Sequence, residues 1–191
     1  MKLRSIISAR RFFVTAAAAA ASVAALAPAA ASAATPSFAS QFPARILAAH
    51  NAVRVRAGVA PLVWDPALGN SAAAYARQMA FSGVFAHSNR SARRGVGENL
   101  WMGTQGAFSL ERMVSDWASE QRMFRAGVFP AVSRTGSWEQ VGHYTQIVWP
   151  TTTRVGCALA SNGRSDYLVC HYSPAGNIDG RPVGGGAYRA R

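Results

Sequence analysis

Four side chains in the sequence have the chemistry to build a site together: His87, Glu98, Glu120 and His143. Imidazole nitrogen ligates metals and exchanges protons near neutral pH, and a carboxylate beside it fixes its tautomer or acts as a base. His87 and Glu98 fall in a Gly- and Arg-rich segment, where ordered polar residues are more often functional than packed. Glu120 falls between Trp117 and Phe124 of an apolar stripe that begins with Leu110, Met113 and Val114 and has Gln121 as a polar gap. At about 100° per residue it lies beside Met113 and Phe124, at the edge of the core. A carboxylate there needs a partner, because burying a bare charge costs several kcal/mol or more. His143 is the candidate partner: it opens the run Tyr144–Trp149, and strand alternation places it on the face of Thr145, Ile147 and Trp149.

The elements that must position these groups follow from periodicity. Phe42, Ile46, Ala49, Val53 and Ala57 trace one face of a first helix, ended by Gly58. Asp65 followed by Pro66 reads as an N-cap with proline at the first helical position, and Leu68, Ala72, Tyr75 and Met79 continue a second helix. Ser82 to Gly106 reads mostly as loop with a short strand at Asn99–Met102. Ser109 caps a third helix predicted to end near Gly127. Three β-rich runs then follow: Tyr144–Trp149, Arg154–Leu159 and Tyr167–Tyr172. Helices first and strands last imply an α+β domain. Residues 42–180 form it, 34–41 read as a linker, and the Gly-rich residues 181–191 as a flexible tail.

The first 33 residues hold Lys2, Arg4, Arg10 and Arg11, no acid, then an Ala-rich apolar run and Ala31-Ser32-Ala33. This is the pattern of an export signal cleaved after small residues, too weakly apolar to anchor in a bilayer. Arg10-Arg11-Phe12-Phe13-Val14 also resembles a twin-arginine signal, with Ala9 in place of the usual Ser or Thr. Removing these residues deletes four of 20 basic residues and none of eight acidic ones, so the net charge falls from +12 to +8. Such a surface favours anionic partners, envelope polymers or phospholipids, and the scattered arginines carry no nucleic-acid motif.

With two cysteines, Cys157 and Cys170, a Cys-rich zinc site is excluded and one disulfide is expected after export. A two-residue turn at Gly163-Arg164 would set them directly opposite each other, and one at Asn162-Gly163 would offset them by two. No Gly-x-Ser-x-Gly elbow and no His-Glu-x-x-His helix is present, so a hydrolase would lack an evident nucleophile.

Two longer segments are more specific. Gly142-His143-Tyr144-Thr145-Gln146-Ile147-Val148-Trp149 and Tyr167-Leu168-Val169-Cys170-His171-Tyr172-Ser173-Pro174-Ala175-Gly176-Asn177-Ile178 resemble the two signatures of the CAP superfamily. That group comprises the cysteine-rich secretory proteins, antigen 5 and plant pathogenesis-related 1 proteins. Supporting pieces fall in the expected order: His50–Arg54, Pro61–Asp65, His87-Ser88, Gly97–Asn99 and Trp117–Glu120.

The resemblance implies a three-layer α-β-α sandwich with a small antiparallel sheet and a cleft holding His87, Glu98, Glu120 and His143. It implies that His87 and His143 hold a divalent metal, zinc first among them, and that a lipid or other anionic ligand binds the domain. Absent here are the additional cysteines and the cysteine-rich C-terminal module of many eukaryotic relatives, and His171 stands where Asn is commoner. Three functions follow as expectations: a binding module, a metal-assisted hydrolase using Glu98 and Glu120 as acid and base, or a structural polar network without ligand.

Overall fold

Helix α1 (Phe38–Ala57) supplies Ile46, His50, Val53 and Arg54 to the interior, with no exposed surface left on Ile46, His50 or Arg54. It starts one turn before the predicted Phe42 and runs through Pro43, so residues 38–41, expected as linker, are helical. The computed structural model describes residues 38–184; the export signal and the end of the expected tail lie outside them. Strand β1 (Val63–Trp64) leads into α2 (Pro66–Ser82), whose Asp65 cap accepts from Ala67 N at 2.8 Å and Leu68 N at 3.3 Å, as the Asp-Pro pair predicts. After a 3-10 turn (Arg90–Arg93) come β2 (Gly97–Thr104) and α3 (Leu110–Ala118).

Three sequence expectations change beyond this point. Helix α3 stops at Ala118 and tightens into a 3-10 segment (Ser119–Met123), so Glu120 sits on that tighter turn. The run expected as a strand from Tyr144 is helix α4 (Gly142–Ile147). The residues Pro182–Val183, expected in a loose tail, form strand β6, which pairs with β3 (Gly127–Val128) and buries Val183.

Strands β4 (Arg154–Ser161) and β5 (Ser165–Ser173) form an antiparallel hairpin. The main sheet has the order β1-β4-β5-β2 and is antiparallel except that β1 joins β4 in parallel. Alternation along β5 divides the core. Tyr167 and Val169 pack with Ala72, Ala76 and Met79 of α2, whereas Leu168, Cys170 and Tyr172 pack with residues of α1, α3 and α4. The result is the expected α-β-α sandwich. Gly156 lets α2 settle on β4: a Cβ there would lie 2.1 Å from Gly69 N and 2.5 Å from Asp65 O.

The hairpin register sets Cys157 opposite Cys170, the outcome expected of the Gly163-Arg164 turn, and the two are joined in a disulfide. Asn162 Oδ1 accepts from the N–H groups of Arg164 (3.1 Å) and Ser165 (2.9 Å), holding that turn from the side.

Candidate functional site

The cleft straddles the start of β2, an edge strand of the main sheet. Alternation sends Glu98 to the α2 side of that strand and Asn99 to the opposite side. In register, Glu98 faces His171 and Asn99 faces Cys170.

The Glu98 carboxylate has no exposed side-chain surface and is filled with donors. Oε1 accepts from His87 Nδ1 (2.7 Å) and Ser88 N (3.0 Å). Oε2 accepts from Ser88 Oγ (2.7 Å) and His171 Nε2 (3.2 Å), and Arg93 Nε stands 3.6 Å from Oε1. Burial alone would raise the Glu98 pKa, but the hydrogen bonds from His171, His87 and Ser88 outweigh it and hold the carboxyl well below the usual range. His171 Nδ1 in turn meets Ser71 Oγ at 3.1 Å, so the network extends into α2.

The second pair is built differently. Glu120 Oε1 accepts from His143 Nδ1 at 2.6 Å, while Oε2 accepts the backbone N–H groups of His143 (2.9 Å) and Tyr144 (3.0 Å). The same carboxylate thus orients the imidazole and caps the N-terminus of α4, where negative charge is favoured. At the other end of α4, Arg54 donates to Ile147 O (2.7 Å), Trp149 O (3.0 Å) and Thr152 O (3.1 Å). Two side chains remote in sequence therefore hold a segment of β-prone composition as a helix, which overrides local propensity. The His143 ring stacks on Trp117, centroids 5.9 Å apart and planes 21° from parallel.

His87, Glu98 and His143 line one cavity of ≈ 930 Å³, which Arg90, Arg93, Glu139 and Asp179 also line. Glu120 reaches the site through His143. With Nδ1–H of each ring donating to a carboxylate, Nε2 carries the lone pair, and no protein hydrogen bond engages Nε2 of His87 or His143 among the described residues. Imidazoles oriented in this way suit a divalent ion such as zinc.

The cluster His50, Cys157 and Cys170 also brings potential ligand atoms together, but the two sulfurs are bonded to each other. His50 spends both nitrogens internally, Nδ1 on Ile46 O and Nε2 on Tyr172 Oη, each at 2.8 Å. Burial, with Arg54 adding to it, lowers its pKa to about 4.

Residues 47–172 match the family model described as CAP, the cysteine-rich secretory protein family. The chain belongs to the CAP family. The match spans all four expected site residues and His171. Similar relatives are pathogenesis-related protein PR-1 of Medicago truncatula, 35% identical over 146 residues (75% of this chain, 78% of the relative), and the secreted protein RBT4 of Candida albicans, 37% identical over 156 residues (79% of this chain, 40% of the relative). The crystal structure of NaASP2 with Zn2+ aligns with TM-score 0.64 and 26% identity, covering 73% of this chain and 83% of that one. Among the described residues of this CAP protein, no helix is long and apolar enough to cross a membrane.

Two contributors to the CAP cleft were given no role from the sequence, Ser88 and above all His171, whereas Arg90 and Arg93 follow His87 closely enough in sequence to be read as a basic rim and do line the cavity. The signal for His171 is the β2–β5 register, which a local pattern does not contain. Asn99 was also missed as a link, its Nδ2 donating to His143 O (3.1 Å) and Tyr172 Oη (3.2 Å). It connects the helix bearing His143 to the buried Tyr172–His50 pair.

Proposed function

We propose that this protein is an exported binding module whose cleft holds a divalent cation, zinc in the first instance, between His87 and His143. One observation carries the reading: both imidazoles line a single cavity, each has Nδ1 on a carboxylate, and each leaves Nε2 to a ligand. Glu98 and Glu120 set tautomer and orientation and raise the basicity of the rings. A bound ion would supply a Lewis-acidic position with coordination sites left for water or a ligand group. The presence of Zn2+ in the structure of NaASP2 supports the choice of metal. Arg90 and Arg93 line the cavity and favour a ligand carrying negative charge, an acidic polymer or a phospholipid headgroup among them, placed away from Glu139 and Asp179, which line it too.

The hydrolase reading draws less support from the same geometry. Both Glu98 oxygens already accept two hydrogen bonds each, and Glu120 is committed to His143 and the α4 N-terminus, so neither carboxylate is poised as a general base.

Calorimetric titration with zinc at neutral pH tests the proposal. The His87→Ala/His143→Ala variant loses the binding, and Glu120→Gln weakens it roughly 10–100-fold. Equal uptake by the double variant would place the metal elsewhere and leave the four residues a structural network.

A further inference from the structure

The end of α2 and the loop behind it form a second surface, outside the cleft lining. Residues 81–86 are exposed without interruption, and three of them are large and apolar: Phe81 is 96% exposed, Val84 61% and Phe85 44%. The segment is held in place: Gly83 caps α2 through its N–H to Met79 O at 2.8 Å, and Tyr75 Oη donates to Ala86 O at 2.5 Å. An ordered segment that projects phenylalanine into water has no folding reason to do so.

Its surroundings are cationic. Between Asp65 and Glu98 the chain contains no acid and four arginines, Arg77, Arg90, Arg93 and Arg94. Phe81 shares a surface depression with Arg77 and with Ser161 and Asn162 at the tip of the β4–β5 hairpin, whose turn carries Arg164. No hydrogen bond or ion pair engages the side chains of Arg77, Arg90, Arg94 or Arg164 among the described residues. The neighbouring acids are withdrawn: Glu98 is buried in the cleft, and Asp166 is buried, accepting from Ser161 Oγ and Gly106 N.

We propose that this surface docks the protein on an anionic phospholipid bilayer, with Phe81, Val84 and Phe85 entering the headgroup region. Arg77 and Arg164 meet lipid phosphates beside them, and Arg90, which also lines the cleft, and Arg94 extend the cationic zone along the chain. An exposed apolar segment flanked by free guanidinium groups has the two attractions that surface binding to such membranes needs: burial of apolar area and attraction to negative lipid. Arginine suits the position because its stem packs on apolar groups while its planar head pairs with phosphate.

The test is co-sedimentation of residues 36–191, one compact unit, with phosphatidylglycerol-rich vesicles and with pure phosphatidylcholine vesicles. Binding is expected to the anionic vesicles and to fall as salt is raised. Phe81→Ser/Phe85→Ser is expected to weaken it roughly tenfold or more, and Arg77→Gln/Arg164→Gln by a similar factor, roughly fivefold per charge. Both variants alter exposed groups, and zinc titration reports whether the cleft is intact independently of lipid. Absence of binding to anionic vesicles, equal binding to neutral ones, or insensitivity to the Phe replacements would each overturn the proposal. Sedimentation velocity supplies a further check: a dimer lost in Phe81→Ser/Phe85→Ser would assign the surface to a second copy instead.

Discussion

Replacing Glu98 with Gln tests how the cleft is held, because the structure dictates which way the new amide must face. Ser88 N–H and His87 Nδ1–H both donate to Oε1, and a backbone N–H cannot accept, so the amide oxygen must occupy that position. The NH2 group then meets Ser88 Oγ and His171 Nε2, both donors to the native carboxylate. The Ser88 hydroxyl can rotate to accept. His171 can accept only by moving its proton to Nδ1, where Ser71 Oγ at 3.1 Å is available as acceptor. The network is therefore rebuilt with neutral hydrogen bonds in place of charge-assisted ones, at a cost of about 1–2 kcal/mol. Glu98→Ala offers no such repair, strands the donors and costs roughly 3 kcal/mol or more. The Glu98 pKa is lower in the folded than in the unfolded chain, so its contribution is complete above about pH 4.5 and is lost as pH falls through the folded value. The gap between parent and Gln variant must close in the same direction. Urea unfolding across pH measures the energies, and imidazole 15N shifts read the tautomer of His171. A Gln variant as stable as its parent, or one in which His171 keeps its proton on Nε2, would refute this account of the network.

Three further outcomes follow. Arg54→Met strips donors from the carbonyls of Ala60, Ile147, Trp149 and Thr152, and is expected to lower stability by roughly 3–5 kcal/mol in urea unfolding; a loss under about 1 kcal/mol would contradict its role in holding α4. His50 has its pKa lowered from 6.5 to about 4, so the unfolded chain takes up its proton first; stability is complete above pH 6.5, falls as pH drops, and has lost roughly 3 kcal/mol once below 4. His50→Gln should flatten that part of the pH profile. Reducing Cys157–Cys170, which closes a loop of sequence separation 13, should cost about 3 kcal/mol by loop entropy, read as a lower urea midpoint.

Legibility in the sequence followed the range of the forces involved. The start of α2 is written in two adjacent residues, Asp65 and Pro66, and the β4–β5 hairpin in two alternating runs and a short turn. The disulfide register depended on which of two turns formed, and side-chain bonds from Asn162 accompany the one observed. Helix α4 was misread because its composition favours a strand and its two restraints, Glu120 and Arg54, lie 23 and 93 residues from their partners on it. Strand β6 was missed for a similar reason: two residues pair with β3 across a long separation, and two residues show no period. Of the four polar residues singled out from the sequence, His87, Glu98 and His143 line one cavity and Glu120 stands behind His143, but the donor that completes Glu98 was not anticipated, since His171 reaches it only through the pairing of β2 with β5.

The central claim is that two carboxylate-oriented imidazoles hold one metal ion. Diffraction from crystals of the protein grown with zinc, recorded on both sides of the zinc absorption edge, tests it most directly. The account predicts one anomalous peak shared by Nε2 of His87 and Nε2 of His143, each about 2.0–2.1 Å from it, with Glu98 and Glu120 still bonded to the Nδ1 atoms. A peak elsewhere, or zinc bound by the carboxylates with the imidazoles turned away, would contradict it.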